Sequence, residues 1–144
     1  KQALLSGMEE KQLLLIEEGM CAASDRLMGA DLKTLAEGLA AAWLDAKMAD
    51  IVSSRAIYAI AAEFDLSVPM GRAAKMLMAM FDALLASAPD ARFADRASGA
   101  FMLAPLLGGS VRMVMEADPT DDNLERLRVE LPRACHAYLV AARI

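Results

Sequence analysis

The chain has 144 residues, 57% hydrophobic and 24% charged, with a formal charge of −5, enough for one domain that buries roughly 70% of its unfolded surface. Its fifteen Lys and Arg are scattered singly among twenty Asp and Glu, so the electrostatic footprint of a nucleic-acid surface is missing. The longest uncharged run, Ala97 to Val111, is interrupted by Pro105, Gly108 and Gly109 and falls short of the roughly 20 residues a membrane crossing needs.

Residues 1–144 read as one all-α domain of six helices, because periodicity near 3.6 recurs and strand-like alternation does not. The apolar share exceeds what a monomer needs to bury, which points to an interface or a cavity. The first helix runs from about Gln2 to Met28, with Leu13, Ile16, Met20, Ala23 and Leu27 on one stripe, and Gly29 ends it. Glu9-Glu10 and Glu17-Glu18 are assigned to its solvated face. Asp31 is the N-cap expected for a second helix in which Leu32, Leu35, Leu39, Ala42 and Trp43 share a face.

A break near Asp50 precedes a third helix with Val52, Ala56, Ala59 and Glu63 along one side and Ile57, Ile60 and Phe64 along another, whose middle is expected to be well buried. Ser67 ahead of Pro69 and Met70 signals the start of a fourth helix ending near Ser87. Ala88-Pro89-Asp90 makes the next turn. The fifth helix, about Asp95 to Ala117, places Ala97, Phe101, Ala104, Gly108, Val111 and Met115 along one face and Met102, Leu103, Leu106 and Met113 on others, so it must be covered on more than one side. After Asp118-Pro119-Thr120-Asp121, the last helix sets Leu124, Leu127, Leu131, Cys135 and Tyr138 opposite Glu125, Arg126, Arg128 and Arg133. Pro105 and Pro132 interrupt these two helices and are expected to kink or loosen them.

The opening Lys1-Gln2-Ala3-Leu4-Leu5 is similar to the Lys-Glu-x-Leu-Leu start of the helix that follows the helix-turn-helix in TetR-family transcriptional repressors. Gly99-Ala100-Phe101-Met102-Leu103 through Gly108-Gly109-Ser110-Val111-Arg112 is similar to that family's penultimate helix. On these residues the whole chain resembles the family's C-terminal regulatory domain. The resemblance implies a homodimer in which the last two helices of each subunit form a four-helix interface. It also implies a small-molecule effector held by the preceding helices, and DNA contact only through a helix-turn-helix upstream of this sequence. An effector would then shift the first helix and change the spacing of the two DNA-reading heads.

The interface expected on this basis comprises Phe101, Ala104, Leu107, Gly108, Val111, Arg112, Leu131, Cys135 and Tyr138, with Gly108, Gly109 and Ser110 allowing close backbone approach. Eleven methionines suit either an adaptable apolar pocket or gap-filling in an ordinary core. Trp43, Tyr58 and Phe81 are large rings on the helices that would wall a pocket, and Lys47 lies one turn beyond Trp43. The expected ligand set is Trp43, Lys47, Tyr58, Met76, Met80, Phe81 and Met102, taking a mainly apolar effector.

A single histidine, His136, excludes multi-histidine metal sites. No phosphate loop, nucleophile elbow or Cys–base pairing is visible, so neither enzymatic activity nor a cofactor is expected. Cys21 and Cys135, widely separated, are expected to be buried thiols in a reducing cytoplasm. The alternative reading is a structural helical dimer or protein-interaction module with a filled core.

Overall fold

The computed structural model describes residues 2–63, 67–117 and 119–144, without the side chains of residues 2, 3, 5, 6 and 67–70. The six expected helices are α1 (Gln2–Leu27), α2 (Leu32–Met48), α3 (Ile51–Glu63), α4 (Ser67–Ser87), α5 (Arg96–Ala117) and α6 (Asp121–Ala142). No strand occurs among the described residues, only an isolated bridge between Phe93 and Arg143. Lys1 and most side chains of the opening motif lie outside the described residues, as do Phe64, Asp118 and the side chains of Ser67, Pro69 and Met70.

Local chemistry fixes the helix boundaries. Gly29 adopts φ +80° just beyond α1, a left-handed turn that costs any residue with a Cβ. Asp31 accepts the Thr34 N–H at 2.8 Å, Asp50 the Ser53 N–H at 3.0 Å, and Asp95 the Ser98 N–H at 3.0 Å. Thr120 accepts the Asn123 N–H at 3.3 Å. Each bond satisfies a first-turn donor that has no partner within its helix. The bonds to Ser53, Thr34 and Ser98 hold all three carboxyls below the usual aspartate range.

The core gathers Ile16, Met20, Ala23 and Leu27 of α1 with the Leu32–Leu35–Leu39 face of α2, Phe81, Leu84 and Leu85 of α4, and the inner faces of α5 and α6. α2 lies against both α1 and α6, while α3 and α4 each pack on α1 and on α5. This arrangement makes α1 one wall of the space between α3 and α4. By length and composition α5 is apolar enough to cross a membrane; one face of it, Gly99, Ala100, Leu103, Leu107, Val111 and Met115, is buried against its neighbours in the bundle, while Phe101, Met102 and Met113 are exposed.

Three expectations need correction. Only Ser54 and Tyr58 of α3 are buried and Val52 is 79% exposed, because the bundle covers one side of a helix that is apolar on two. Glu9 is buried rather than solvated, since it continues the inner stripe through Gln12, Ile16 and Met20. Cys21 is exposed, lying one residue, or 100° of helix, beyond buried Met20.

Candidate functional site

Trp43, Lys47 and Tyr58 come together. Trp43 and Lys47 are one turn apart on α2, and α3 brings Tyr58 to them. The Lys47 Nζ lies 5.0 Å from the Trp43 ring centroid and 5.3 Å from that of Tyr58, within range of attraction to both π faces. Arg112 of α5 approaches Tyr58 at 5.8 Å and pairs with Glu116 at 2.9 Å. The Trp43 indole N–H donates to the Leu107 carbonyl at 2.9 Å, so its polar handle is already used. Burial lowers the Lys47 ammonium to a pKa of about 8 and raises the Tyr58 phenol, against the opposing pull of Arg112.

A polar seam links this cluster to α1. The Ser54 hydroxyl donates to the Lys47 carbonyl at 2.7 Å and accepts from the Gln12 amide at 3.4 Å. One turn before Gln12 stands Glu9, only 4% exposed, whose Oε1 accepts no hydrogen bond. Burial first, and then the charge of Glu10, raises its pKa.

Space lies on both sides of α1. A cleft of about 460 Å³ separates it from the end of α2 and from α3, lined by Met8, Lys11, Gln12 and Leu15 on one side and by Ala46, Asp50, Ser53, Ile57 and Ile60 on the other. A second cleft of about 460 Å³ lies between α1 and α4, with Glu10, Leu13, Leu14 and Glu17 facing Arg72, Ala73 and Met76. Each is large enough for a small molecule.

Of the expected ligand set, Met76 lines the α1–α4 cleft, while Trp43, Lys47 and Tyr58 line neither cleft and form a packed knot beside them. Phe81 is buried in the core, Met80 is packed at its edge, and Met102 is exposed on the outside of α5. Lys11, Gln12, Glu10 and Glu17, which line the clefts, lie outside the expected set; Glu10, Lys11 and Glu17 belong to the polar side of α1. The signal available was the polar pair Glu9 and Gln12 on the stripe of Ile16 and Met20, since buried polar groups call for partners.

Of the nine residues expected at an interface, Leu107, Val111, Leu131 and Cys135 are turned into the subunit's own core, beyond reach of a second chain. Phe101 and Arg112 face outward, and Ala104, Gly108 and Tyr138 are half-buried. The buried positions of α5 recur every four residues, at Gly99, Leu103, Leu107, Val111 and Met115, whereas the expected stripe alternates steps of three and four. The two cross along the helix, so the expected stripe begins outside at Phe101 and meets the buried face at Val111. Met102 and Met113 extend the exposed apolar face of α5, and Val129 and Val140 lie exposed on α6.

The described residues thus form an all-α bundle with a cleft on either side of α1 and exposed apolar side chains on α5. The family described as tetracyclin repressor-like, C-terminal domain, matches residues 31–139, and the chain belongs to that family. Comparison with curated proteins and with solved structures gave no match.

Proposed function

We propose that this chain is the effector-binding and dimerisation domain of a TetR-like transcriptional repressor, acting in the cytoplasm without enzymatic activity of its own. The observation that carries the proposal is the pair of clefts flanking α1 in a chain of this family. A ligand entering either cleft wedges α1 against α3 or α4, and α1 is the helix that would lead to an upstream helix-turn-helix. The mechanism is a shift in population: a ligand that prefers one setting of α1 biases the spacing of two DNA-reading heads. A tenfold bias needs a preference of only about 1.4 kcal/mol.

Dimerisation is assigned to the outer face of α5 and α6. Phe101, Ala104, Gly108, Arg112 and Tyr138 are retained from the expected set, and Met113, Val129 and Val140 join them because they are exposed. Leaving this apolar surface to water is unfavourable.

The second reading, a helical dimer with no ligand site, is favoured by one observation: the Trp43 knot is packed, with its indole N–H satisfied. Operator-affinity titration of the full-length regulator separates the two. The proposal expects an effector that changes operator affinity at least several-fold. A ligand that fills a cleft and leaves operator affinity unchanged would remove the coupling.

A further inference from the structure

The amine held in the Trp43 knot has no part in the proposed mechanism. Lys47 Nζ lies 5.0 Å from the Trp43 ring centroid and 5.3 Å from that of Tyr58, and none of the ion pairs among the described residues includes it. Glu116, the carboxylate beside this cluster, is already engaged by Arg112 at 2.9 Å. A π face attracts a cation but supplies neither a counter-charge nor a lone pair. The ammonium is therefore only partly compensated, and burial brings its pKa down to about 8. The nitrogen is not sealed in. Among the described side chains Glu9 Oε1 is the fully buried polar atom that lacks a partner, so the unpartnered Lys47 Nζ keeps an opening to solvent on a half-buried residue. A desolvated, unpaired amine that small molecules can reach is a nucleophile.

The surroundings decide its reaction partner. Two rings and the Arg112–Glu116 pair face the amine, so no free base stands by to drive acyl transfer. Addition to an aldehyde needs none. Lys47 lines neither cleft, which limits the aldehyde to a short chain, and the aromatic walls favour an apolar one. We propose that Lys47 is a reversible covalent attachment site for a short apolar aldehyde, seated between Trp43 and Tyr58 and separate from the clefts along α1. The lone pair of the neutral amine bonds to the carbonyl carbon, the carbonyl π pair moves to oxygen, and that oxygen takes one proton from the nitrogen. The carbinolamine so formed loses its hydroxyl with the remaining nitrogen proton as water, leaving a C=N imine. No oxidant or reductant takes part. When protonated, the imine keeps its positive charge between the two rings, so the contacts that hold the amine also hold the product.

Propanal with cyanoborohydride, which reduces the imine to a stable propylamine, tests this in the intact chain, and peptide mass mapping gives an initial rate for each lysine. At pH 7 a pKa near 8 leaves about a tenth of the Lys47 amine neutral, against well under a thousandth for an ordinary lysine. Lys47 should therefore be propylated about tenfold faster than exposed Lys11, Lys33 and Lys75, once its lower basicity and narrower access are discounted. Its rate should level off above about pH 8, while theirs go on rising toward pH 10. Unfolding in urea should erase the preference, and Lys47→Met should remove the fast phase while circular dichroism keeps its helical signal. All the rates but the last come from one unaltered chain, so the test stands even if the variant does not fold. Propylation of Lys47 no faster than that of the exposed lysines overturns the proposal. So does a rate that keeps rising to pH 10, or a preference that survives unfolding. None of these results bears on the clefts, so the effector reading stands or falls separately.

Discussion

Glu9 and Lys47 carry ionisable groups into the protein without an ion pair among the described residues, and each gives a pH-dependent prediction. The folded chain holds the Glu9 proton more tightly than the unfolded chain does, because burial raises its pKa above 4.5. The ionised carboxylate therefore weakens the fold at neutral pH, and the penalty fades as pH falls toward 4.5. Glu9→Gln should raise the Tm at pH 7 by about 2–4 °C, equivalent to about 1 kcal/mol, with the gain shrinking on acidification in thermal melts. Lys47 has the opposite sign. Its folded pKa of about 8 lies below the ordinary 10.5, so the fold penalises the ammonium, and stability from this group rises between pH 8 and 10.5. Lys47→Met should be more stable than the parent by about 2 kcal/mol at pH 7, a figure discounted for partial exposure. That advantage should shrink as pH rises through 8 and be gone above 10.5. Trp43→Phe tests the knot from the other side. It leaves the ring in place and removes the donor to Leu107, at a cost of about 1–2 kcal/mol in a denaturant titration.

At the scale of elements, the helix ends were the most legible part of the sequence. Asp31 and Thr120 each bond the N–H three residues on, and Gly29 turns left-handed where the α1 pattern stops. Such signals are local, so they survive without knowledge of the neighbours. Gly29→Ala should cost about 1 kcal/mol, measured by thermal melting, because the φ of +80° is unfavourable for a residue with a Cβ. Which face of a helix is covered was less legible. α3 is apolar on two sides, and only its neighbours decide that the Ser54–Tyr58 side is buried. The α5 stripe was misplaced for a related reason: its 3.5-residue spacing crosses the boundary between core and surface along the helix. The knot of Trp43 and Lys47 was visible from their one-turn spacing on α2. The clefts were not, because each is made by two or three helices distant in sequence. Glu9 lay in plain view on the α1 stripe, but as one of two adjacent glutamates it resembled an ordinary solvated pair.

The whole molecule combines exposed apolar side chains on α5 and α6 with two open clefts along α1. The outer face predicts association. Phe101 and Met113 are 60% and 67% exposed, and replacing both with Glu should shift sedimentation from dimer to monomer while leaving helicity unchanged. Like charges set against each other across a two-fold axis are strongly disfavoured. In the proposed function a ligand in either cleft would lie against α1, so that binding and subunit geometry would be coupled through one helix. The chain supplies its own reporter of that coupling. Cys21 is exposed on α1, whereas Cys135 is buried with its thiol pushed up to about 11, so a thiol-reactive label goes to Cys21 alone.

Spin labels at Cys21 therefore mark one point on α1 of each subunit, and pulsed dipolar spectroscopy measures the distance between them. A defined distance distribution is expected for the dimer, and it should shift when an effector that changes operator affinity is present at saturation. Absence of any dipolar coupling, or a distribution that stays the same at saturation, would contradict it.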